Sequence, residues 1–411
     1  MMLIKNKLLE IVKAGLCIGC GACYIMCPHN AINLKVSSNG TYSPVINLDK
    51  CVNCKLCERV CPAINPQRIK VKGLGNFIRC YIGYSTELEI RWRASSGGVA
   101  TTILLSLLEE GLISGAIVVK SDSRDPLKPV MTIARSREEI IEAMGSKYCP
   151  VRPTFKITDM LSMNGKIAVV ALPCHIWVFK NLEKLDKRLK DKILVYLGLL
   201  CGKCPNFYAT VYFIRKNAGV NEEDVAMIRY RGEGWPGKIS VITKSGCIRV
   251  FELKKWISFS YYPHFIPLRC VFCYDIANQL ADISLGDAWG LSHDNVGASL
   301  IITRTPVGES IIKHLSTIRK LVVKEVDPEQ VIQGQGIDKK VKNALIRAYI
   351  WQNVFHQSTP IKLRHPPNFS LKGWVLNLGY CFWLYAAQDK LMRIIMSNLT
   401  PLISRIVEWL R

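Results

Sequence analysis

Two groups of cysteines near the start of the chain have the residue type and the spacing that iron–sulfur clusters require. Each group follows the pattern Cys-x2-Cys-x2-Cys-x3-Cys-Pro, and the second begins 34 residues after the first. In this pattern three thiolates of one group bind three corners of a cubane, and the fourth, before proline, binds the other cluster. Structural zinc is the alternative, but zinc sites rarely repeat four cysteines at this spacing. We therefore predict two [4Fe–4S] clusters, with the ligand sets Cys17, Cys20, Cys23, Cys61 and Cys51, Cys54, Cys57, Cys27.

A second, looser group of cysteines follows in the middle of the chain. Two of its members lie at the ends of segments with a buried-strand pattern, and two others form a Cys-x2-Cys pair. Cysteines at the ends of neighbouring strands can converge on one edge of a sheet, where four thiolates would hold a third cubane. The alternative is that they are buried thiols, which pack as small apolar side chains. The candidates are Cys174, Cys201, Cys204, Cys270 and Cys273.

A glycine-rich turn before a predicted helix is the candidate site for an anionic cofactor. In RASSGGVATTILLSLLEEG the serines can cap the helix, and the glycines allow its backbone to approach a ligand closely. Free N–H groups at a helix N-terminus bind anions, so a cofactor pyrophosphate fits there; an ordinary capped helix is the alternative. Similar turns occur at GSKY and LGDAWG. The candidate cofactor-binding residues are Ser95, Ser96, Gly97, Gly98, Gly145, Ser146, Lys147, Tyr148 and Asp287.

Alternating strands and helices are expected to position these motifs. The strands are predicted at 116–120, 166–173 and 193–201, and the helices at 99–111, 137–145 and 177–191. This alternation favours an α/β layer whose sheet is at least partly parallel. In the cysteine-rich segment, Asn39-Gly40 between two short apolar runs indicates a β-hairpin. After about residue 320 the pattern is mainly helical.

Composition narrows the class of protein further. Lys and Arg number 55 against 32 Asp and Glu, which gives a net charge of +23. The charge accompanies no recognition motif, so we expect no nucleic-acid binding; an acidic partner subunit, an anionic cofactor or an anionic membrane surface explains it better. The charged first residues argue against secretion, and no apolar run approaches the roughly 20 residues of a membrane span. We therefore expect a cytoplasmic protein whose cysteines serve metal or redox chemistry.

Six motifs together resemble a known family. SSGGVAT, GSKYCPV, ALPCH, LGLLCG, RCVFC and ADISLGDAWG occur in the order seen in the beta subunit of coenzyme F420-reducing hydrogenase and its relatives, over about residues 75–320. Residues 10–66 resemble a bacterial-type two-cluster ferredoxin. The family resemblance implies an α/β fold with FAD close to a third [4Fe–4S] cluster, whose ligands would be Cys174, Cys201, Cys270 and Cys273.

Two departures from the family pattern concern this third cluster. The chain has Leu172-Pro173-Cys174-His175 where the family usually has Thr-Pro-Cys-Gln. It also has Cys204 close to Cys201, so either thiol could be the ligand. His175 could tune the cluster or be an ordinary polar side chain.

From these observations we expect three parts in the chain. An α+β ferredoxin-like two-cluster module (1–66) is followed, after a linker at 67–76, by an α/β flavin-binding domain with FAD and a [4Fe–4S] cluster (77–320). A mainly helical C-terminal extension (321–411) completes the chain.

The resemblance also implies a function. A flavin exchanges a hydride and passes electrons on singly, so a flavin beside three clusters would connect coenzyme F420, as hydride donor or acceptor, to a redox partner subunit. A flavin-dependent reductase of another substrate is the first alternative. A non-enzymatic electron-transfer adaptor is the second.

The end of the chain carries an apolar stripe with basic and aromatic residues. Leucines and isoleucines recur at helical spacing, although Pro401 should kink or divide the helix. Three interpretations stay open: packing on the protein's own core, docking to a partner subunit, or lying on an anionic membrane surface. The stripe consists of Leu391, Ile395, Leu399, Leu402, Ile406 and Leu410.

Overall fold

The computed structural model describes residues 6–292, 294–367 and 370–386, in which fourteen strands form three sheets. The strands are β1 Ile32–Val36, β2 Tyr42–Ile46, β3 Arg79–Ser85, β4 Gly115–Asp122, β5 Asp125–Ala134, β6 Arg152–Pro153, β7 Ile167–Ala171, β8 Ile193–Leu199, β9 Val225–Arg229, β10 Lys238–Thr243, β11 Ile248–Glu252, β12 Ile283–Asp287, β13 Ser299–Thr303 and β14 Leu321–Glu325. The helices are α1 Lys7–Lys13, α2 Ala22–Met26, α3 Leu56–Val60, α4 Leu88–Arg93, α5 Val99–Glu109, α6 Arg137–Glu142, α7 Ile157–Leu161, α8 Pro173–Leu185, α9 Arg188–Lys192, α10 Phe207–Phe213, α11 Leu253–Ser260, α12 Leu268–Val271, α13 Pro306–Thr317, α14 Pro328–Gln335, α15 Ile337–Asn353 and α16 Leu371–Ala386.

The largest sheet has nine strands in the order β14-β3-β13-β12-β8-β7-β4-β5-β6. Its centre is parallel, since β12, β8, β7 and β4 pair in parallel, whereas β3, β13 and β14 are antiparallel to their neighbours. The predicted α/β layer with a partly parallel sheet is therefore confirmed. The predicted strands correspond to β4, β7 and β8, and two of the predicted helices to α5 and α6. The third helix begins earlier than expected, at Pro173, so Cys174 lies in its first turn.

Apolar side chains cover both faces of this sheet. Successive residues of a strand point to opposite faces, and Ile117 and Val169 accordingly join one core while Ala116 and Ala168 join the other. The first core is covered by α8 and by residues of the cysteine-rich module; the second is covered by α5, α6 and α13. Continuous apolar strands are typical of a sheet that is buried on both sides.

The cysteine-rich module packs directly on the sheet domain. Its hairpin forms as predicted, with β1 and β2 antiparallel around Asn39 and Gly40. Ile25 and Val60 are fully buried in the core beside α8. A side chain on Gly21 would meet Pro153 at 2.4 Å, which shows how closely the two parts approach. The module is therefore an integral part of the described structure.

The segment 67–76, expected to be a linker, is held at several points. Gln279 accepts from the Lys70 backbone N–H at 2.9 Å and donates to the Lys70 carbonyl at 2.7 Å. Arg304 donates to the carbonyls of Leu74 and Asn76 at 2.8 and 2.7 Å. These contacts fix the spacing between the module and the sheet.

Asn181 of α8 connects the module to the sheet domain, and its replacement gives a first prediction. Its buried amide donates to the carbonyls of Val60 and Asn65 at 3.1 and 3.0 Å and accepts from Gln67. Because Asn181→Ala leaves these groups without their partner, we expect it to lower the free energy of unfolding by about 1–3 kcal/mol. Asn353→Ala, which removes one exposed hydrogen bond to Tyr349, is the matched control. Equal denaturant midpoints for the two variants would contradict the prediction.

The C-terminal part begins later than expected. β14 lies past the expected boundary at 320, yet it pairs with β3 at the edge of the large sheet, so the sheet domain extends to Glu325. The helices that follow, α14 to α16, agree with a mainly helical extension. α16 packs one face on the protein, with Asn377 and Cys381 buried, and leaves Leu371 and Phe382 exposed.

The predicted stripe from Leu391 to Leu410 lies outside the described residues, so its three interpretations stay predictions. Within the described part of the chain, no helix combines the length and the hydropathy needed to cross a membrane.

Candidate functional site

The structure brings each predicted set of four module cysteines together around its own cavity. One cavity, with an empty volume of about 340 Å³, is lined by Cys17, Cys20, Cys23 and Cys61. The other, of about 430 Å³, is lined by Cys27, Cys51, Cys54 and Cys57. In each case the fourth cysteine comes from the opposite repeat. This crossing-over follows from the three-residue gap before the last cysteine, which places it beyond the short helix of its own repeat.

Left-handed residues shape the loops that carry these cysteines. Gly19 and Gly21 have φ of 69° and 73°, and an added side chain on Gly19 would meet the Tyr42 carbonyl at 2.7 Å. In the second repeat, Asn53 and Lys55 have φ of 53° and 59°. Such a conformation turns the backbone tightly, so that successive thiols can face one cavity.

Each set of four module thiols surrounds a cavity, which is the arrangement that a cubane requires. Within residues 6–292, 294–367 and 370–386, no three side chains of His, Cys, Asp or Glu form a group that could hold one ion. In a cubane each thiolate binds its own iron corner, so the ligands surround a cavity instead of meeting at a point. The two four-thiol cavities fit that arrangement.

Burial differs between the two cavities. It raises the pKa of Cys17 to about 11 and the pKa of Cys20 and Cys23 well above the ordinary value of a thiol. Around the other cavity, Cys54 is exposed. Because a ligating thiol must be deprotonated, cluster insertion here releases protons and depends on pH. The first cavity thus lies in the interior, and we call it the inner cavity. The second lies near the surface, and we call it the outer cavity.

The five cysteines of the sheet domain also lie together. Cys174 is in the first turn of α8, Cys201 and Cys204 follow β8, and Cys270 and Cys273 lie in and just after α12. The first of these thiols interacts electrostatically with three others, Cys201, Cys270 and Cys273. The backbone of Cys204 hydrogen-bonds to the Cys270 thiol. Both Cys201 and Cys204 are therefore within the group, and we call these five residues the central thiol group.

The central thiol group adjoins the inner cavity of the module. Cys20 of that cavity is close enough to Cys174 for their charges to interact. Arg269 interacts with Cys61 on one side and Cys270 and Cys273 on the other. Its Nη1 is buried and has no hydrogen-bond partner among the described residues, as a donor facing a cluster would. The inner cavity and the central thiol group are thus neighbours.

His175 lies beside Cys174, with its Nδ1 3.7 Å from the Cys174 sulfur. Burial lowers the pKa of His175 to about 4, so the ring is neutral at physiological pH. In the described structure its Nε2 is buried without a hydrogen-bond partner. His175 is therefore an uncharged neighbour of this thiol.

The candidate cofactor-binding segments converge on one arginine. Arg231 makes two hydrogen bonds to the Asp287 carboxylate, at 2.9 and 3.1 Å, and donates to the Tyr148 hydroxyl at 3.0 Å and to the Ser95 carbonyl. The Ser146 backbone N–H and hydroxyl both donate to the Ser95 hydroxyl at 2.8 Å. Three segments that are distant in sequence therefore meet here.

Arg231 stays protonated because of its neighbours. Burial lowers its pKa, but the Asp287 carboxylate and the Tyr148 hydroxyl more than offset this, so the pKa lies above the ordinary value. Its Nε is buried and without a hydrogen-bond partner in the described part of the chain. An orphaned charged donor at the meeting point of these loops fits an anionic cofactor.

Tyr261 links this arginine site to the central thiol group. Its hydroxyl interacts electrostatically with Tyr148 and Asp287 on one side and with Cys201 and Cys204 on the other. Electrostatic interactions thus connect each of four features to the next: the outer cavity, the inner cavity, the central thiol group and the Arg231 site.

Gly97 and Gly98 lie where an added side chain would meet other parts of the protein. A side chain on Gly97 would meet the Gly83 carbonyl at 2.4 Å and the Ser299 nitrogen at 2.7 Å. One on Gly98, whose φ is 74°, would meet Ile90 at 2.9 Å. The side-chain positions of both glycines therefore face the protein, and the expected approach of their backbone to a cofactor stays a prediction. Ser96 likewise hydrogen-bonds to Ser299, with 2.8 Å between the hydroxyls.

This packing gives a second prediction. Gly97→Ala should lower the free energy of unfolding by about 1–3 kcal/mol, because backbone atoms of two strands must move. Gly379→Ala in α16, where nothing lies within 4 Å of the added carbon, should not destabilise. Thermal unfolding measures both. A Gly97→Ala protein of normal stability that lacks its flavin would contradict this prediction and support the expected approach of the Gly97 backbone to the cofactor.

Lys147 is engaged by its own segment. Its Nζ donates to the carbonyls of Ala143, Met144 and Gly145 at 2.6, 3.2 and 3.1 Å, at the C-terminal end of α6. Burial lowers the pKa of Lys147 to about 8. In this structure its ammonium therefore caps a helix, where cations are favourable, and its predicted place in the cofactor site stays a prediction.

Sequence reasoning missed Arg231 and the loop that follows it. In RGEGWPG the three glycines all have positive φ, and the Trp235 indole N–H donates to the Asp287 carboxylate at 2.9 Å. The Trp235 ring also lies against Trp289, with 4.4 Å between the ring centroids. The three glycines close to an arginine and a tryptophan were the sequence feature that could have indicated a functional loop here.

Comparisons with known proteins agree with this architecture. Residues 80–158 match the family model for the N-terminal part of the coenzyme F420 hydrogenase/dehydrogenase beta subunit, and residues 164–329 match the model for its C-terminal part. Residues 16–64 match a 4Fe-4S dicluster domain. The expected pair of [4Fe–4S] clusters in the N-terminal module is thus supported independently of the cavities.

Two curated relatives extend over most of the chain. One is a subunit of the F(420)H(2) dehydrogenase of Methanosarcina mazei, 24% identical over 348 residues, which is 82% of this chain and 92% of the relative. The other is the coenzyme F420-dependent sulfite reductase of Methanocaldococcus jannaschii, 27% identical over 357 residues. That match covers 82% of this chain, but the chain spans about half (52%) of the relative's length.

A solved structure shares the fold. A chain of the F420-reducing [NiFe] hydrogenase complex from Methanosarcina barkeri matches with a TM-score of 0.51 at 24% identity, over 69% of this chain and 96% of that chain. The two matches to the hydrogenase/dehydrogenase models lie side by side and together span more than half of the sequence. The chain belongs to the family of coenzyme F420 hydrogenase/dehydrogenase beta subunits.

Proposed function

We propose that this chain is an iron–sulfur flavoprotein oxidoreductase, or the electron-input subunit of one, that exchanges a hydride with coenzyme F420 and single electrons with a partner subunit. One observation carries the proposal: three groups of cysteines and a cationic site follow each other in space, from Cys54 at the surface to Arg231 in the interior. A flavin exchanges a hydride and passes electrons on singly, whereas each cubane carries one electron at a time.

The residues of the Arg231 site would hold FAD. The Arg231 guanidinium, fixed by Asp287 and Tyr148, offers a buried Nε–H that no described protein group uses. The nearby α5 begins at Val99, and its N-cap Gly98 has no side chain to cap it, so its first N–H groups add positive potential. Both features stabilise an anionic group such as a pyrophosphate. Binding by these two features needs no acid–base residue, since the protein's task at this site is to bind and orient the cofactor.

The thiols of the central group would hold the third [4Fe–4S] cluster. Three basic side chains lie near them, since Lys203 and Arg269 both interact electrostatically with Cys270, and Lys340 interacts with Cys201; burial lowers the pKa of all three. Buried cations are unfavourable without a counter-charge, and a cubane with four thiolates supplies one. The chemistry of this donor set therefore fits a cluster better than five neutral thiols.

The hydride partner is proposed from the relatives. Those named above are F420-dependent or act on F(420)H(2), and each such name describes the relative. Coenzyme F420 is anionic, so the net charge of +23 favours its docking. Because the structural match belongs to a multi-subunit complex, we also propose a partner subunit that exchanges electrons at the outer cavity.

Anaerobic purification with flavin and iron analysis, followed by an assay, tests the proposal. We expect about twelve irons per chain, four for each cubane, together with bound flavin. Reduced F420 should be oxidised in the presence of an artificial one-electron acceptor, and NADH should not replace it. Bound flavin and clusters without F420 oxidation would indicate a reductase of another substrate. Clusters without flavin would indicate an electron-transfer adaptor.

A further inference from the structure

The C-terminal helices reach the central thiol group through one tyrosine. Lys203 lies in the loop between Cys201 and Cys204, and its Nζ donates to the Tyr380 hydroxyl of α16 at 3.0 Å. On the same ring, Arg347 of α15 has its guanidinium carbon 4.0 Å from the ring centroid. Tyr380 therefore contacts two basic side chains at once, and burial together with the neighbouring Arg347 lowers the pKa of Lys203. We call Lys203, Tyr380 and Arg347 the cation–tyrosine stack.

Buried hydrogen bonds fix the outer half of this stack. The Arg347 Nε donates to the Asn377 side chain at 2.8 Å, and Asn377 in turn donates to Asn343 at 2.9 Å. The Cys381 thiol lies 3.8 Å from the Arg347 carbonyl. Asn377 and Cys381 are both buried. α15 and α16 thus hold Tyr380 in one position relative to the thiol loop.

The stack lacks a carboxylate. Among the described residues, neither Lys203 nor Arg347 forms a salt bridge. Among the thiols, Cys270 has the largest electrostatic interaction with Lys203, and it is a proposed cluster ligand. Two cations that share one aromatic ring repel each other, and they are favourable only beside a negative group. A cluster held by four thiolates is negative and becomes more so on reduction.

We propose that α15 and α16 set the reduction potential of the third cluster, with Tyr380 as a positioning residue that holds the Lys203 ammonium beside it. A fixed cation favours the reduced, more negative cluster and so raises its potential. The inference rests on the proposed third cluster. It goes beyond the family, because the family-model match ends at residue 329 and α15 begins at Ile337.

The test is a redox titration of the reconstituted full chain, followed by paramagnetic resonance. Subtraction of the signal of Cys270→Ser isolates the third cluster. Lys203→Met keeps the length of the side chain and removes its charge. It should lower the equilibrium constant for reduction of the third cluster at least tenfold, which is about 59 mV for one electron. Tyr380→Phe should shift the potential in the same direction by less. Lys203→Arg should retain the wild-type value.

Controls separate this role from a structural one. Lys216→Met, on an exposed π-helical turn at Ile214–Ala218, should leave the potential unchanged. If Lys203→Met loses the third cluster, the test is the reduction potential of that cluster in Tyr380→Phe, which should be lower than in the wild-type chain. Twelve irons with unchanged potentials in every variant would overturn the inference and leave the proposed function intact. Eight irons in the wild-type chain would overturn the third cluster and the inference together.

Discussion

Replacing Cys270 by serine is expected to lower the iron content from about twelve to about eight per chain, because one of three four-iron clusters is lost. Cys270 lies in α12, accepts a hydrogen bond from the Cys204 backbone at its thiol and interacts electrostatically with Lys203. Flavin and the two module clusters should stay bound. Electrons from reduced F420 should then no longer reach the module, while direct reduction of the flavin continues.

Iron analysis and paramagnetic resonance measure this outcome, and other cysteines supply the controls. Cys247→Ser, at an exposed position in the β10–β11 connection, should leave all irons in place. Cys201→Ser and Cys204→Ser, compared side by side, identify the fourth ligand: only the ligand's replacement should lose four irons. A Cys270→Ser protein with its full iron content would show that the third cluster lies elsewhere or does not form.

Replacing Arg231 by methionine is expected to remove the flavin and destabilise the domain. The Arg231 side chain is 2% exposed, and its loss leaves the Asp287 carboxylate without its bidentate partner. Breaking a buried ion pair from one side costs about 3–5 kcal/mol. The Ser95 carbonyl and the Tyr148 hydroxyl lose a donor as well, so the three loops lose their common anchor.

Unfolding by denaturant and flavin content per chain measure the effect. Arg188→Met, which removes an exposed ion pair with Asp186, is the matched control and should change neither quantity. Arg231→Lys with Asp287 retained distinguishes charge from geometry, since lysine cannot make the bidentate contact. A stable Arg231→Met protein with normal flavin content would place the flavin away from these loops.

The cysteine positions were the part of the site that sequence could predict. A cluster is held by cysteines that lie a few residues apart in the sequence. Because a short loop cannot separate them widely, their distance along the chain largely determines their distance in the fold. The crossing-over of Cys27 and Cys61 is of this kind, since the repeat itself implies it. The strands β4, β7 and β8 were equally accessible, because a strand that is buried on both faces is apolar throughout.

The reasons for the glycines were not accessible from sequence. A glycine pattern shows that a side chain is excluded, but it does not show what excludes it. At Gly97 the excluding atoms belong to Gly83 and Ser299, which are distant in sequence and are brought near by β3 and β13. Lys147 is similar, since a lysine at this position is compatible with solvent, with phosphate or with helix capping, and only the structure shows its ammonium against the Ala143 carbonyl.

Long-range pairing explains the remaining differences. Arg231 is essential to the arrangement only because Ser95, Tyr148 and Asp287 meet around it, and no local pattern encodes that meeting. The strand β14 was included in the helical extension because a single five-residue edge strand has a weak pattern. Its assignment to the sheet depends on its partner β3, some 240 residues earlier.

Anaerobic titration of the reconstituted chain with reduced F420, followed by absorbance and paramagnetic resonance, tests the central claim most directly. We expect reduced F420 to bleach the flavin and signals of reduced clusters then to appear, with two electrons delivered per F420. A titration with dithionite shows that every centre can be reduced. If dithionite reduces the flavin and the clusters but excess reduced F420 changes neither, the proposed exchange between a hydride and single electrons is contradicted.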